Sequence, residues 1–209
     1  MAIVDRAAVA GYARAMVDRT EEILLARARE GDEASFAQLV ERHSERLLQL
    51  GWRLTGSRDL AEDLVQEAFL RLHRTLKSFR GDCSLATWLY RTLSRLAIDH
   101  LRREKLRRKI FFFRSDDEQD DPVELAADSG PLPDQQLIER ERLRRVRRAM
   151  RKLSPQQRAV FTLRHDQNLP LKEIAVILEL SEGTVKTHLH RAVQVLRAGL
   201  GDMAESEES

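Results

Sequence analysis

Apolar residues return every three to four positions along most of the chain, and the returns fall into discrete stretches. Ile23, Leu24 and Ala28 make the first, and Phe36, Leu39, Val40, Leu47, Leu50 and Leu54 the second. Leu60, Leu64, Ala68, Leu72 and Leu76 make a third. The fourth holds Leu85, Leu89, Leu93, Leu96 and Leu101, inside a segment running from about Ser84 to Lys109. A period near 3.6 residues predicts amphipathic helices, each burying one stripe. Gly31-Asp32, Gly56-Ser57 and Gly81-Asp82 stand where the period breaks, so residues 21–112 are expected to form a helical bundle.

A second periodic region begins at Ser154-Pro155-Gln156-Gln157. This is a capping-box pattern, with proline at the first helical position and a glutamine placed to reach back to the cap amide. The helix it starts is expected to run through Arg164 and to break at Asn168-Leu169-Pro170. Leu171–Glu179 follows, with Ile174, Ala175 and Leu178 inward. Leu180-Ser181-Glu182-Gly183 is expected to turn the chain into a last helix, Thr184–Leu200, burying Val185, Leu189, Val193 and Leu196. A short helix, a tight glycine-bearing turn and a second helix predict a helix-turn-helix domain over 138–200.

Between the two regions, residues 113–137 show no helical period and hold three of the five prolines, Pro122, Pro131 and Pro133. They are expected to be a linker, too charged and too poor in large apolar groups to pack alone. Residues 1–20 carry weak helical spacing (Ile3, Ala7, Tyr12, Met16) and are set apart as an N-terminal extension, as residues 201–209 are as an acidic tail.

Composition narrows the class. Aromatics make up only 5% of the 209 residues and runs of β-branched residues are scarce, so the expected fold class is all-α. One cysteine excludes an intrachain disulfide framework and a Cys-rich zinc site. No stretch reaches the roughly 18 apolar residues that span a bilayer. Asp5, Arg6, Arg14, Asp18 and Arg19 occupy the place of a signal peptide's apolar core. The expectation is a soluble, cytoplasmic protein with no membrane insertion.

The formal net charge of +2 hides strong segregation. Residues 101–114 hold seven basic side chains and one acid; residues 115–134 hold eight acids and no base. Residues 139–158 return to nine basic against two acidic. Such blocks describe surfaces for different partners.

Three features carry candidate chemistry. In the third stretch Asp59, Glu62, Asp63 and Glu67 share one helix face. A carboxylate metal site of the four-helix-bundle kind usually includes Glu-x-x-His pairs, yet none of the six histidines has Asp or Glu three or four residues before it. A solvated acidic face and a docking face for a basic partner remain open. In the fourth stretch Trp88 beside the leucine stripe is expected to anchor the core. Arg91, Arg95, Asp99 and Arg102 share a side there, and Arg103, Lys105, Arg107 and Arg108 extend it, the footprint of nucleic-acid binding. In the last helix Lys186, Thr187, His190, Arg191 and Gln194 face outward, able to donate to phosphates or to base edges in a major groove. His188 and His190, two apart on a helix, point away from each other and make no metal pair.

Taken together these segments resemble an extracytoplasmic-function sigma factor, a two-domain member of the sigma-70 family. Asp59-Leu-Ala-Glu-Asp-Leu-Val-Gln-Glu-Ala-Phe69 is similar to the family's core-polymerase-binding helix. Phe79-Arg80-Gly81, Thr87-Trp88-Leu89-Tyr90-Arg91 and Asp99-His100-Leu101-Arg102-Arg103 resemble its −10 recognition region. Leu153-Ser154-Pro155, Thr184-Val185-Lys186 and Arg191-Ala192 resemble its −35-binding domain. The resemblance spans residues 21–200 and implies a sigma-2-like domain followed by a sigma-4-like one.

It further implies a non-catalytic role without cofactor or metal: binding core RNA polymerase, directing it to promoters and opening the −10 duplex. Asp59, Glu62, Asp63, Gln66 and Glu67 would dock on a basic coiled coil of the polymerase clamp. Thr75, Phe79, Arg80, Gly81, Arg91, Arg95, Asp99, Arg102 and Arg103 would meet the −10 element, the loop Phe79–Ser84 holding a flipped base of the melted non-template strand. Arg164, Ser181, Thr184, Lys186, Thr187, His190 and Arg191 would face the double-stranded −35 element. The acidic linker would thread toward the catalytic cleft, and an anti-sigma factor is a further implied partner, although no residue identifies it. The chain departs from the family at Arg95, where members usually carry Asn; arginine binds phosphate or a guanine edge but does not reproduce an amide's bidentate pairing. An alternative comes from Ser181–His190, which also resembles the DNA-binding domain of LuxR-type regulators; those normally sit behind a sensory or receiver domain, and residues 1–137 show no strand–helix alternation.

Overall fold

The computed structural model describes residues 19–79, 81–112, 145–146 and 148–201. The N-terminal extension, the linker and the acidic tail lie outside them, apart from residues 19–20 and 201. Every regular element among the described residues is helical. Helix α1 covers 19–29, followed by α2 (Glu33–Thr55), α3 (Arg58–Thr75), a 3-10 turn (Leu76–Ser78) and α4 (Leu85–Phe112). Helix α5 covers 145–146 and 148–152; then come α6 (Pro155–His165), α7 (Leu171–Leu178) and α8 (Glu182–Gly201). Packing divides the chain into two compact units, one drawn from Met1–Trp52 and Ser57–Leu93, the other from Arg53–Gly56 and Ser94–Ser209.

In the first unit the leucine stripes meet. Leu39, Leu47, Leu50, Leu72, Leu89 and Leu93 are each at most 1% exposed, and burying one such side chain is worth about 1.5–3 kcal/mol. Ile23 departs from the expected stripe at 50% exposed, because Leu24 and Ala28 carry the inward face of α1. Helices α2 and α3 approach closely where Gly51 faces Ala61; a Cβ on Gly51 would stand 3.1 Å from the alanine Cβ. The tight connection between them uses Gly56 at φ +79, after which Ser57 caps α3 by accepting from the Leu60 amide at 3.3 Å. His43 on α2 hydrogen-bonds Glu21 on α1 at 3.1 Å, and this bond is the main reason the Glu21 carboxyl sits below its usual pKa.

In the second unit the capping box forms as the sequence predicts. Ser154 Oγ accepts from the Gln157 amide at 3.2 Å, and the Ser154 amide donates to Gln157 Oε1 at 2.9 Å. Arg158, one turn into α6, is buried and donates its Nε to the Met150 carbonyl at 3.1 Å, tying α5 to α6; burial lowers its pKa. Ala149, Leu153, Ala192 and Leu196 make a local core with Met150, Phe161 and Val195 packed against it.

The α7–α8 turn differs from expectation. Glu179, not a glycine, takes the left-handed position (φ 55), and the Leu180 amide returns to the Ala175 carbonyl at 3.0 Å. Ser181 then caps α8, so Gly183 lies inside the helix rather than in the turn. On α7 the fully buried neighbours are Ile174, Ala175 and Ile177, with Leu178 half-buried; on α8 Val185, Ala192 and Leu196 are buried, while Leu189 and Val193 are half-buried.

Candidate functional site

Helix α3 separates two chemistries. Ala61, Leu64, Val65, Ala68, Phe69 and Leu72 are buried. Asp59, Glu62, Asp63 and Gln66 are exposed and Glu67 partly so. Glu62 pairs with Arg58 at 3.4 Å and Glu67 with Arg71 at 2.7 Å, both one turn apart. These solvated pairs contribute little to stability. Among the described residues no group of three or more His, Cys, Asp or Glu is arranged to hold a metal ion. Leu70, 45% exposed, lies on the same face as Asp63 and Glu67. The stripe pattern held the clue to it, since Leu70 falls out of phase with the buried leucines.

Between α3 and α4 the chain leaves regular structure and borders an open cavity of about 300 Å³, lined by Thr75, Ser78, Phe79, Gly81, Asp82, Cys83, Trp88 and Arg91. Four positions expected at a −10 site (Thr75, Phe79, Gly81 and Arg91) are thereby brought together; Arg80 lies outside the described residues. Gly81 turns the loop at φ +79. Ser84 then caps α4, accepting from the Thr87 amide at 3.1 Å. Trp88 is not a core anchor: it is half-buried in the cavity wall, edge to face with Phe79 at 6.4 Å between ring centroids. The Thr75 hydroxyl is turned back onto the Arg71 carbonyl at 2.8 Å.

The rest of the basic stripe lies further along α4. Within the second unit Arg95 is ion-paired with Glu179, both well exposed, and Arg102 stands 4.0 Å from Asp99. Arg103 is exposed. At the helix-turn-helix the outward residues Lys186, Thr187, His190, Arg191 and Gln194 are exposed on α8. Ser181 and Thr184 are engaged in the α8 cap, their hydroxyls 2.8 Å apart and the Thr184 amide 3.1 Å from Ser181 Oγ. Thr187 Oγ1 donates to the Gly183 carbonyl at 2.9 Å, and Arg164 donates to the Leu169 carbonyl at 3.0 Å, closing the α6–α7 loop. His188 turns inward, and burial first, then the nearby Arg191 charge, lowers its pKa. No helix among the described residues is long and apolar enough to cross a membrane.

Comparison with known proteins matches two segments of the chain. Residues 39–107 match the family Sigma-70 region 2, and residues 143–196 match Sigma-70, region 4. The chain is 32% identical over 179 residues to the ECF RNA polymerase sigma factor SigW of Bacillus subtilis (strain 168), covering 84% of this chain and 94% of that one. It is also 32% identical over 182 residues to the ECF RNA polymerase sigma-E factor of Escherichia coli (strain K12), covering 85% and 92%. Among solved structures it is similar to CnrH in complex with the cytosolic domain of CnrY (TM-score 0.60, 25% identity, 88% of this chain and 98% of that chain). The sigma factor RpoE of Bartonella quintana, in complex with the anti-sigma factor NepR, shares the fold (TM-score 0.57, 24% identity, 79% and 96%).

With both matches in one chain, the protein belongs to the sigma-70 family of transcription initiation factors. Within that family it is an extracytoplasmic-function RNA polymerase sigma factor. The region 2 match and the sigma-factor relatives support this reading and not the LuxR-type alternative.

Proposed function

We propose that three surfaces divide the work of initiation in this chain. The exposed acidic face of α3 (Asp59, Glu62, Asp63, Gln66 and Glu67) docks on a basic surface of core RNA polymerase. The cavity between α3 and α4 holds a base extruded from the −10 duplex, while Arg80, Arg95, Asp99, Arg102 and Arg103 meet the flanking strand. Lys186, Thr187, His190 and Arg191 read the −35 element from α8, with Arg164, Ser181 and Thr184 fixing the loop and cap that aim it. On this reading the working domains are 21–112 and 138–200, joined by the acidic linker 113–137, and the protein acts in the cytoplasm. An anti-sigma factor is a further partner suggested by family membership.

The observation that carries the reading is the cavity. Extruding a base costs a few kcal/mol of stacking, and an aromatic face returns about 1–3 kcal/mol per stacked base. Phe79 and Trp88 supply aromatic surface at its wall, and Arg91 a cation beside it. The deciding experiment is run-off transcription by core polymerase with and without the chain on a genomic fragment library. Start-site-selective transcripts that depend on the chain are expected, and their absence from every template overturns the reading. Reversing charge with Asp63→Lys and Glu67→Lys is expected to weaken retention of core polymerase while leaving the thermal melt unchanged; undiminished retention removes the docking role.

A further inference from the structure

Phe79 is held from two directions, by a ring across its own loop and by a residue remote from it in the chain. Trp88 meets its ring edge to face at an interplanar angle of 84°. From α1, fifty residues earlier, Arg29 donates Nη2 to the Phe79 carbonyl at 2.5 Å, and the same guanidinium stands 5.6 Å from the Phe79 ring centroid. One planar, permanently charged group thus engages both the backbone and the ring of a single residue, which a lysine ammonium does less well. Arg29 Nε is buried and finds no hydrogen-bond partner among the described residues, so this edge of the cation is shielded from solvent.

The place it grips is where the backbone stops being regular. The Phe79 amide closes the 3-10 turn onto the Leu76 carbonyl at 3.2 Å, and Phe79 itself is extended (φ −66, ψ 107). Beyond it the loop runs through Gly81 to the Ser84 cap. A loop of this kind has many accessible conformations, and each restraint on its first residue removes a share of them.

We propose that Arg29 is the positioning residue of the nucleotide cavity, fixing Phe79 so that its ring and that of Trp88 keep a base-sized space open. Arg29 acts through Phe79 and does not itself touch the base. The proposal rests on the cavity being the −10 base site. It extends the functional region to α1, which lies before the segment matching Sigma-70 region 2.

The test uses full-length chain reconstituted with core polymerase on a promoter found by run-off transcription. Permanganate reactivity of −10 thymines reports melting, and gel retention of the unmelted duplex reports closed complexes. The rate at which N-ethylmaleimide modifies Cys83, which lines the cavity, reports loop order in the chain alone. Arg29→Met is expected to lower thymine reactivity about tenfold, as loss of a charge-assisted hydrogen bond would. Closed-complex formation should hold, and Cys83 should react several-fold faster, about as expected for a loosened loop. Arg29→Lys should recover part of the melting. Adding Arg29→Met to Phe79→Ala should cost less than about twofold more, because the two act as one contact.

Normal melting by Trp88→Ala overturns the base-site reading and this proposal with it. Impaired melting by Trp88→Ala beside normal melting by Arg29→Met overturns the role of Arg29 alone, as do fully additive losses in the double variant. Should circular dichroism show Arg29→Met unfolded, Arg29→Lys, assayed below its own melting temperature, is judged by the same two comparisons.

Discussion

The two units reach precision by opposite routes. The first builds its cavity from irregular backbone held by one long-range contact and one across the loop: Arg29 reaches Phe79 across fifty residues, and Phe79 meets Trp88 nine residues on. The second shapes the ends of its helices mostly with contacts three to five residues apart, in the Ser154 box, the Ser181 cap and the turn at left-handed Glu179, although Glu179 also pairs with Arg95 far back in the chain. Local contacts survive damage elsewhere in a domain, whereas long-range ones fail with the core that spaces them.

That contrast is open to attack by substitution. The largest effect is expected for Leu89→Ala, at a position 0% exposed between the cavity residues Trp88 and Arg91. It should cost about 2–5 kcal/mol in urea unfolding and bring faster Cys83 alkylation with it. If the thiol stays as slow as in the parent, the cavity does not depend on the core. Arg191→Ala, on the exposed face of α8, should weaken −35-dependent promoter binding by about 1–3 kcal/mol with no shift in the urea midpoint. A comparable loss on a template lacking the −35 element would instead make it a nonspecific phosphate contact.

Smaller effects test the local route itself. Ser154→Ala removes one half of the capping box and should cost about 1 kcal/mol, read by thermal melting, without altering Cys83 reactivity. The smallest concerns pH. His188 has a folded-state pKa depressed by burial, so the folded chain holds the neutral ring while the unfolded chain takes a proton near its ordinary value. Its contribution is therefore complete above about pH 6.5 and is lost as pH falls from there through the folded-state value. Urea midpoints at neutral and mildly acid pH should converge in His188→Gln relative to the parent.

Local signals are what a sequence carries well. The capping box at Ser154, the break at Asn168-Leu169-Pro170 and the leucine stripes of α2, α3 and α4 were all readable from spacing, because helix period and caps act over one or two turns. The phase of α7 and α8 was harder: Glu179 rather than Gly183 makes the turn, and a left-handed glutamate has no sequence signature. Trp88 looked like core because it neighbours the leucine stripe, and only the loop opposite shows it to be wall. Arg29 was invisible for the same reason, since one arginine among 36 basic residues is singled out by what it reaches and not by its neighbours.

Leu70 has a consequence for how the acidic helix would hold a partner. A contact made of carboxylates alone dissolves as ionic strength rises, because counterions screen every pair. A half-exposed leucine amid those carboxylates adds an oily contact that electrolyte does not weaken. On the proposed docking, adhesion to polymerase should decline with added salt and then level off at a residual plateau, and Leu70→Ser should remove the plateau while sparing the slope.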